Sequence, residues 1–114
     1  MKNNFKKICK ESDIYNRKGR RFELDEENEI AVFKVEGEIY VVDNVCPHNH
    51  TPQIFDGYVE EMYVACPLHG FRFNLKTGEQ PTKLGCKLRT FEHKTENGFL
   101  FVKIPDEKRF NFEF

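Results

Sequence analysis

The chain has 114 residues, with 18 Lys and Arg against 19 Asp and Glu, a formal net charge of −1. Charges of both signs are spread along it, which excludes the one-signed field that nucleic-acid binding needs. This length suits one domain, residues 1–114, with a single framework and no room for a second; no apolar run reaches membrane-spanning length and no apolar segment follows the basic N-terminus, so a soluble, cytoplasmic protein without a membrane partner is expected.

Apolar residues alternate instead of recurring at helical spacing, and Phe, Val and Ile gather in short runs between turn signals, which predicts an all-β protein. Strands are expected over Phe5–Lys10, Arg20–Leu24 and Glu29–Val35. Lys6-Lys7 and Arg20-Arg21 read as solvated strand edges. Glu36-Gly37 then turns the chain into a strand at Ile39–Val42, and Asp43-Asn44 ends it. Pro52–Gly57 reads as loop, Met62–Ala65 and Phe71–Asn74 as strands, and Lys76–Glu79 as a turn. The last strands are expected over Leu88–Lys94 and Phe99–Ile104, joined at Asn97-Gly98, the strongest type I′ hairpin signal in the chain. They should close a small antiparallel barrel or sandwich onto the early strands. Phe110, Phe112 and Phe114 alternate in a polar tail and would share one face if extended, a pattern read as docking on the domain itself.

The chemistry lies between Cys46 and His69. Cys46-Pro47-His48 and Cys66-Pro67-Leu68-His69-Gly70 face each other across a linker of seventeen residues. Two thiolates and two imidazoles fit either a structural zinc or an iron–sulfur cluster in which His replaces two Cys ligands. Zinc sites built from close pairs usually keep like ligands within each pair. Here each pair mixes one Cys with one His, so each loop can give one Cys to one metal and one His to a second, as a two-iron cluster requires. Pro47 and Pro67 fix φ and lack an amide hydrogen, stiffening each loop just after its thiol. Of the remaining cysteines, Cys9 reads as a buried small hydrophobe and Cys86 as a half-exposed loop residue, both reduced. His50 is expected as an exposed loop residue and His93 as facing solvent from a strand. Scattered Ser and Thr, and the lack of a glycine-rich phosphate loop, suggest no substrate catalysis.

Cys46-x-His48 and Cys66-x-x-His69-Gly70 resemble the two ligand boxes of the Rieske 2Fe-2S family, and Phe71–Asn74 with Thr77-Gly78-Glu79 resembles the strand and turn after the second box in soluble Rieske ferredoxins. The resemblance covers essentially the whole chain. It implies one 2Fe-2S cluster with Cys46 and Cys66 on one iron and His48 and His69 on the other, a cluster-binding subdomain at about residues 45–82, and a covering third loop for which Pro81 is the matching residue. His50 departs from the family, which usually has glycine or a small residue near there. Respiratory Rieske proteins carry an extra Cys in each box, joined as a disulfide; Thr51 and Leu68 stand at those positions. They also carry Ser and Tyr where this chain has Phe71 and Phe73, so hydroxyl hydrogen bonds that raise the potential are missing. Ring-hydroxylating oxygenases need a further domain. The resemblance therefore implies a free-standing one-electron carrier between a reductase and an oxygenase. Alternatives are the small Rieske subunit of an assimilatory nitrite reductase, partnered by its large subunit, and an accessory module whose cluster serves structure alone.

Overall fold

The computed structural model describes residues 4–47, 50–68, 70–83 and 85–105. Within them, nine strands form three antiparallel sheets of three. β1 (Phe5–Lys10), β8 (His93–Glu96) and β9 (Phe99–Lys103) make one sheet in the order β1-β9-β8. β2 (Arg20–Glu23), β3 (Glu29–Val35) and β4 (Glu38–Asp43) make the second, and β5 (Tyr58–Glu60), β6 (Tyr63–Ala65) and β7 (Arg72–Asn74) the third. The expected closure of the late strands onto the early ones is present in the pairing of β1 with β9.

β3 explains how the sheets come together. Ile30 and Val32 point into one buried cluster with Val41, Leu100, Val102 and Phe91, whereas Ala31 and Phe33 point into another with Val42, Val64 and Phe73. Both faces of this strand are covered, so it is a nearly continuous apolar run, with Ile30 through Phe33 all at 0% exposure. Burial of each of its larger side chains contributes about 1.5–3 kcal/mol. The β2-β3-β4 sheet is thus a shared wall. On one side lies the terminal sheet, on the other the β5-β6-β7 sheet that follows the first ligand box.

Two hairpins form as their sequences predict: Glu36-Gly37 has φ of 51° and 87°, and Asn97-Gly98 has 52° and 82°. Positive φ at both central residues is what a type I′ turn demands. Three expectations need correction. Tyr58–Glu60, not anticipated as a strand, is β5. Leu88–Lys94 is not one strand: β8 starts only at His93, and the preceding segment crosses to β4, touching it by a single bridge between Val42 and Thr90. There the Asp43 N–H donates to the Arg89 carbonyl (2.9 Å) and the Phe91 N–H to the Val41 carbonyl (2.9 Å). His93 does not face solvent, because its half-buried ring sits with Nε2 2.8 Å from the Ile39 carbonyl and Nδ1 3.1 Å from the Phe91 carbonyl. A neutral ring donates to one of these and an imidazolium to both; with a proton on Nε2 the ring donates to the Ile39 carbonyl and ties β8 to β4. Phe110, Phe112 and Phe114 lie outside the described residues.

Candidate metal centre

Cys46 and Cys66, at 0% and 1% exposure, belong to one buried cluster with Val64, Phe73, Leu75 and Leu88, against which Phe71 and Cys86 pack. Residues twenty apart in sequence meet here because β4 delivers one and β6 the other. His48 and His69 lie outside the described residues.

The two loops have the same backbone frame. After Cys46, the His50 N–H donates to the Cys46 carbonyl (2.7 Å) and the Cys46 N–H to the Thr51 carbonyl (2.9 Å). After Cys66, the Gly70 N–H donates to the Cys66 carbonyl (2.8 Å) and the Cys66 N–H to the Phe71 carbonyl (2.8 Å). The residue closing each turn is left-handed, His50 at φ 60° and Gly70 at φ 75°. Each loop therefore runs Cys-Pro, two further residues, a left-handed residue, and then back to the cysteine amide. With the backbone polar groups of each cysteine satisfied internally, its thiol is buried without leaving an orphaned amide. Glycine adopts this conformation at no steric cost. His is among the few other residues enriched there, so His50 can take the position.

The first loop has an anchor that its sequence did not disclose. Asn44 is fully buried (0%). Its Nδ2 donates to the Pro52 carbonyl (3.0 Å), its Oδ1 accepts the Phe55 N–H (2.7 Å), and its own N–H donates to the Glu29 carbonyl (2.9 Å). The side-chain amide thus fastens the far end of the 44–55 excursion to its start, and the backbone N–H ties that start to β3. An Asn before a turn is a common signal, and only the partners across the loop give it this role. The second loop is held by β7 and the turn beyond it, where Asn74 Oδ1 accepts the Lys76 and Thr77 N–H groups (2.8 and 3.0 Å). Gly78, at φ 81°, lies too close to the Leu88 carbonyl for any side chain.

Pro81 is exposed in a turn closed by the Lys83 N–H donating to the Gln80 carbonyl (2.8 Å). Gln80 Nε2 reaches across this third loop to the Cys86 carbonyl (3.0 Å). All four cysteines are free thiols. Burial pushes the Cys9 thiol above its ordinary value of 9.0, Asp13 adds to that and Arg20 opposes it; far from both loops, Cys9 serves as a half-buried apolar residue against β9. Neither Thr51 nor Leu68 can form a disulfide, and Leu68 is exposed at 51%. Phe71 and Phe73 offer no hydroxyl to the site, and Phe73 is wholly buried.

The donor set suits a two-metal cluster: two buried thiols on matched turns, each with a histidine two or three residues on. No group of three or more His, Cys, Asp or Glu that could hold a metal occurs among the described residues, so no separate zinc site competes with this one there.

Comparison with known proteins agrees. A family model described as a Rieske-like [2Fe-2S] domain matches residues 4–103. The ferredoxin component of the naphthalene 1,2-dioxygenase/salicylate 5-hydroxylase systems of a Ralstonia species is 40% identical over 77 residues, covering 67% of this chain and 73% of its own length. The Sphingomonas yanoikuyae B1 ferredoxin superimposes with a TM-score of 0.80 at 25% identity, over 90% of this chain and 100% of that one. A Mycobacterium tuberculosis protein described as an NADH-dependent nitrite reductase small subunit reaches 0.85 at 18% identity, over 94% and 100% of the two chains. The last likeness shows the fold alone.

Proposed function

Because the chain belongs to the Rieske-like [2Fe-2S] family, we propose that it carries single electrons on one 2Fe-2S cluster held by Cys46 and Cys66 on one iron and His48 and His69 on the other. The observation that carries this ligand set is the pair of matched Cys-Pro turns, which bring two buried thiols into one cluster of side chains. When bound, the cluster supplies reversible one-electron chemistry. The protein's own part is positional. Each thiol loses its proton on loading; Pro47 and Pro67 stiffen the chain next to it; Phe73, Leu75 and Leu88 keep water from the sulfur side. Two neutral imidazoles in place of two thiolates make the site less negative, which raises its potential above the roughly −400 mV of all-thiolate plant-type clusters. Without side-chain hydroxyls at Phe71 and Phe73, the potential belongs at the low end of the Rieske range, roughly −150 mV.

The whole chain acts as one domain with residues 45–82 as its cluster-binding part, and by itself it turns over no substrate. Its partners are a reductase that supplies the electron and a terminal oxygenase that takes it, in keeping with the dioxygenase-system ferredoxins it resembles. It works in the cytoplasm; no helix among its described residues is long and apolar enough to cross a membrane. A nitrite reductase large subunit is the second reading for the partner, favoured only by likeness of fold. Metal analysis of the purified protein is the test: two irons and two acid-labile sulfides per chain are expected. One zinc and no sulfide would sink the assignment.

A further inference from the structure

A cleft of about 450 Å³ opens beside the first ligand loop, lined by Asp43, Val45, Pro47, His50, Lys87 and Arg89. Resting on the electron-carrier reading above, we infer that this cleft receives a carboxylate side chain of the electron-transfer partner, so that the partner meets the first ligand loop with an acidic face. Two of the lining residues, Pro47 and His50, belong to the loop that carries Cys46 and His48. A group seated there is held against the loop that would supply two of the four ligands.

Charge points the same way. Among the described lining residues, Lys87 and Arg89 stand against one acid, Asp43, which is buried and whose Oδ1 accepts the Val45 N–H (2.9 Å). This local excess of cations sits on a chain whose net charge is −1. Arg89 is positioned: its guanidinium lies 4.7 Å from the Phe91 ring centroid, and its carbonyl is fixed by the Asp43 N–H. Lys87 is exposed and has no ion pair among the described residues, whereas Arg17, Arg21, Lys94 and Lys103 each have a glutamate. His50 adds a further polar side chain to the lining. The larger cleft between β4 and β8, about 770 Å³, has Glu38 and Glu92 beside Lys76 and His93 and so lacks this excess. Beside an oriented guanidinium, the exposed Lys87 ammonium suits a carboxylate, which it binds by a charge-assisted hydrogen bond.

The test uses the reduced, cluster-loaded protein and two small oxidants at low ionic strength, anionic hexacyanoferrate(III) and cationic hexaamminecobalt(III), each taking one electron. Lys87→Glu should slow the anion and speed the cation by about three-fold or more, an effect lost in ~0.5 M salt. Lys18→Glu, the same charge change at an exposed site elsewhere, should move both rates less. A hexaglutamate peptide should slow the anionic oxidant in the wild type and not in Lys87→Glu, while phosphate at matched ionic strength should not. Lys87→Gln should give about half the logarithmic effect of Lys87→Glu. Rates in Lys87→Glu no different from those in Lys18→Glu would overturn the inference, and equal protection by phosphate would replace the partner's carboxylate with a free small anion. If the wild type lacks the cluster's visible absorbance, the electron-carrier reading itself fails; a normal spectrum with unmoved rates defeats this inference alone.

Discussion

The two cysteine loops make the informative comparison in this molecule, because they share a backbone and differ in almost everything that supports it. Both close with a bond from the fourth residue after the cysteine to its carbonyl and a return from its amide to the fifth. The second loop is an inexpensive version: Gly70 takes the left-handed position freely, and the short β6-β7 pairing holds the ends. The first loop leaves a β-strand and has no strand partner on its far side, so it relies on Asn44 to fasten Pro52 and Phe55, and it tolerates His50 at φ 60°. A common backbone turn thus rests on sheet pairing in one loop and on one buried amide in the other.

The largest effect expected is symmetric. Cys46→Ala and Cys66→Ala should each abolish the cluster, read as loss of iron and visible absorbance; retention of a full complement by either would break the equivalence of the loops. Next, Asn44→Ala should destabilise the fold by about 2–3 kcal/mol, since it empties a fully buried site and strips partners from two part-buried backbone groups, and lower Tm by roughly 10 °C for a domain of this size. Asn74→Ala, in a more exposed turn, should cost about 1 kcal/mol. Equal costs would mean that Asn44 is not the special anchor of the first loop.

The left-handed positions allow a finer contrast. Gly70→Ala should cost about 1 kcal/mol, whereas His50→Gly should be neutral or stabilising by up to about 1 kcal/mol, because it relieves the same strain. Denaturant midpoints of the two variants would decide it, and a loss on His50→Gly would show that the His50 side chain holds the loop. The smallest effect is expected at Cys9. A thiol whose pKa is raised by folding contributes stability that is complete below its unfolded value of 9.0 and is lost as pH rises through the higher folded value. Cys9→Ser should therefore flatten the fall in stability above pH 9, measured by urea unfolding, and leave the curve between pH 6 and 8 unchanged in shape.

Much of this was legible in the residues. Short apolar runs between turn signals located β1 and β3 to the residue, and the Cys-x-His and Cys-x-x-His spacings marked both cysteine loops, because composition and spacing are local properties. What escaped was set by distant partners. β5 buries only Val59 among three residues, too little to alternate, and exists because β6 pairs with it. Leu88 to Lys94 carries buried Leu88 and Phe91, which read as a strand although the segment is a crossover bound to β4 at one bridge. His93 meets Ile39, 54 positions away, and Asn44 looked like a turn residue until the segment it clamps was in place.

The proposed function requires the two loops to gather two thiols and two imidazoles at one pair of irons. The most direct test is the nitrogen hyperfine spectrum of the reduced protein, grown with 15N-histidine. Two nitrogen couplings of metal-bound imidazole are predicted, one lost in His48→Cys and one in His69→Cys, each variant also shifting the midpoint potential negative from roughly −150 mV. Absence of any histidine nitrogen coupling, or couplings unaltered by both substitutions, would contradict the account.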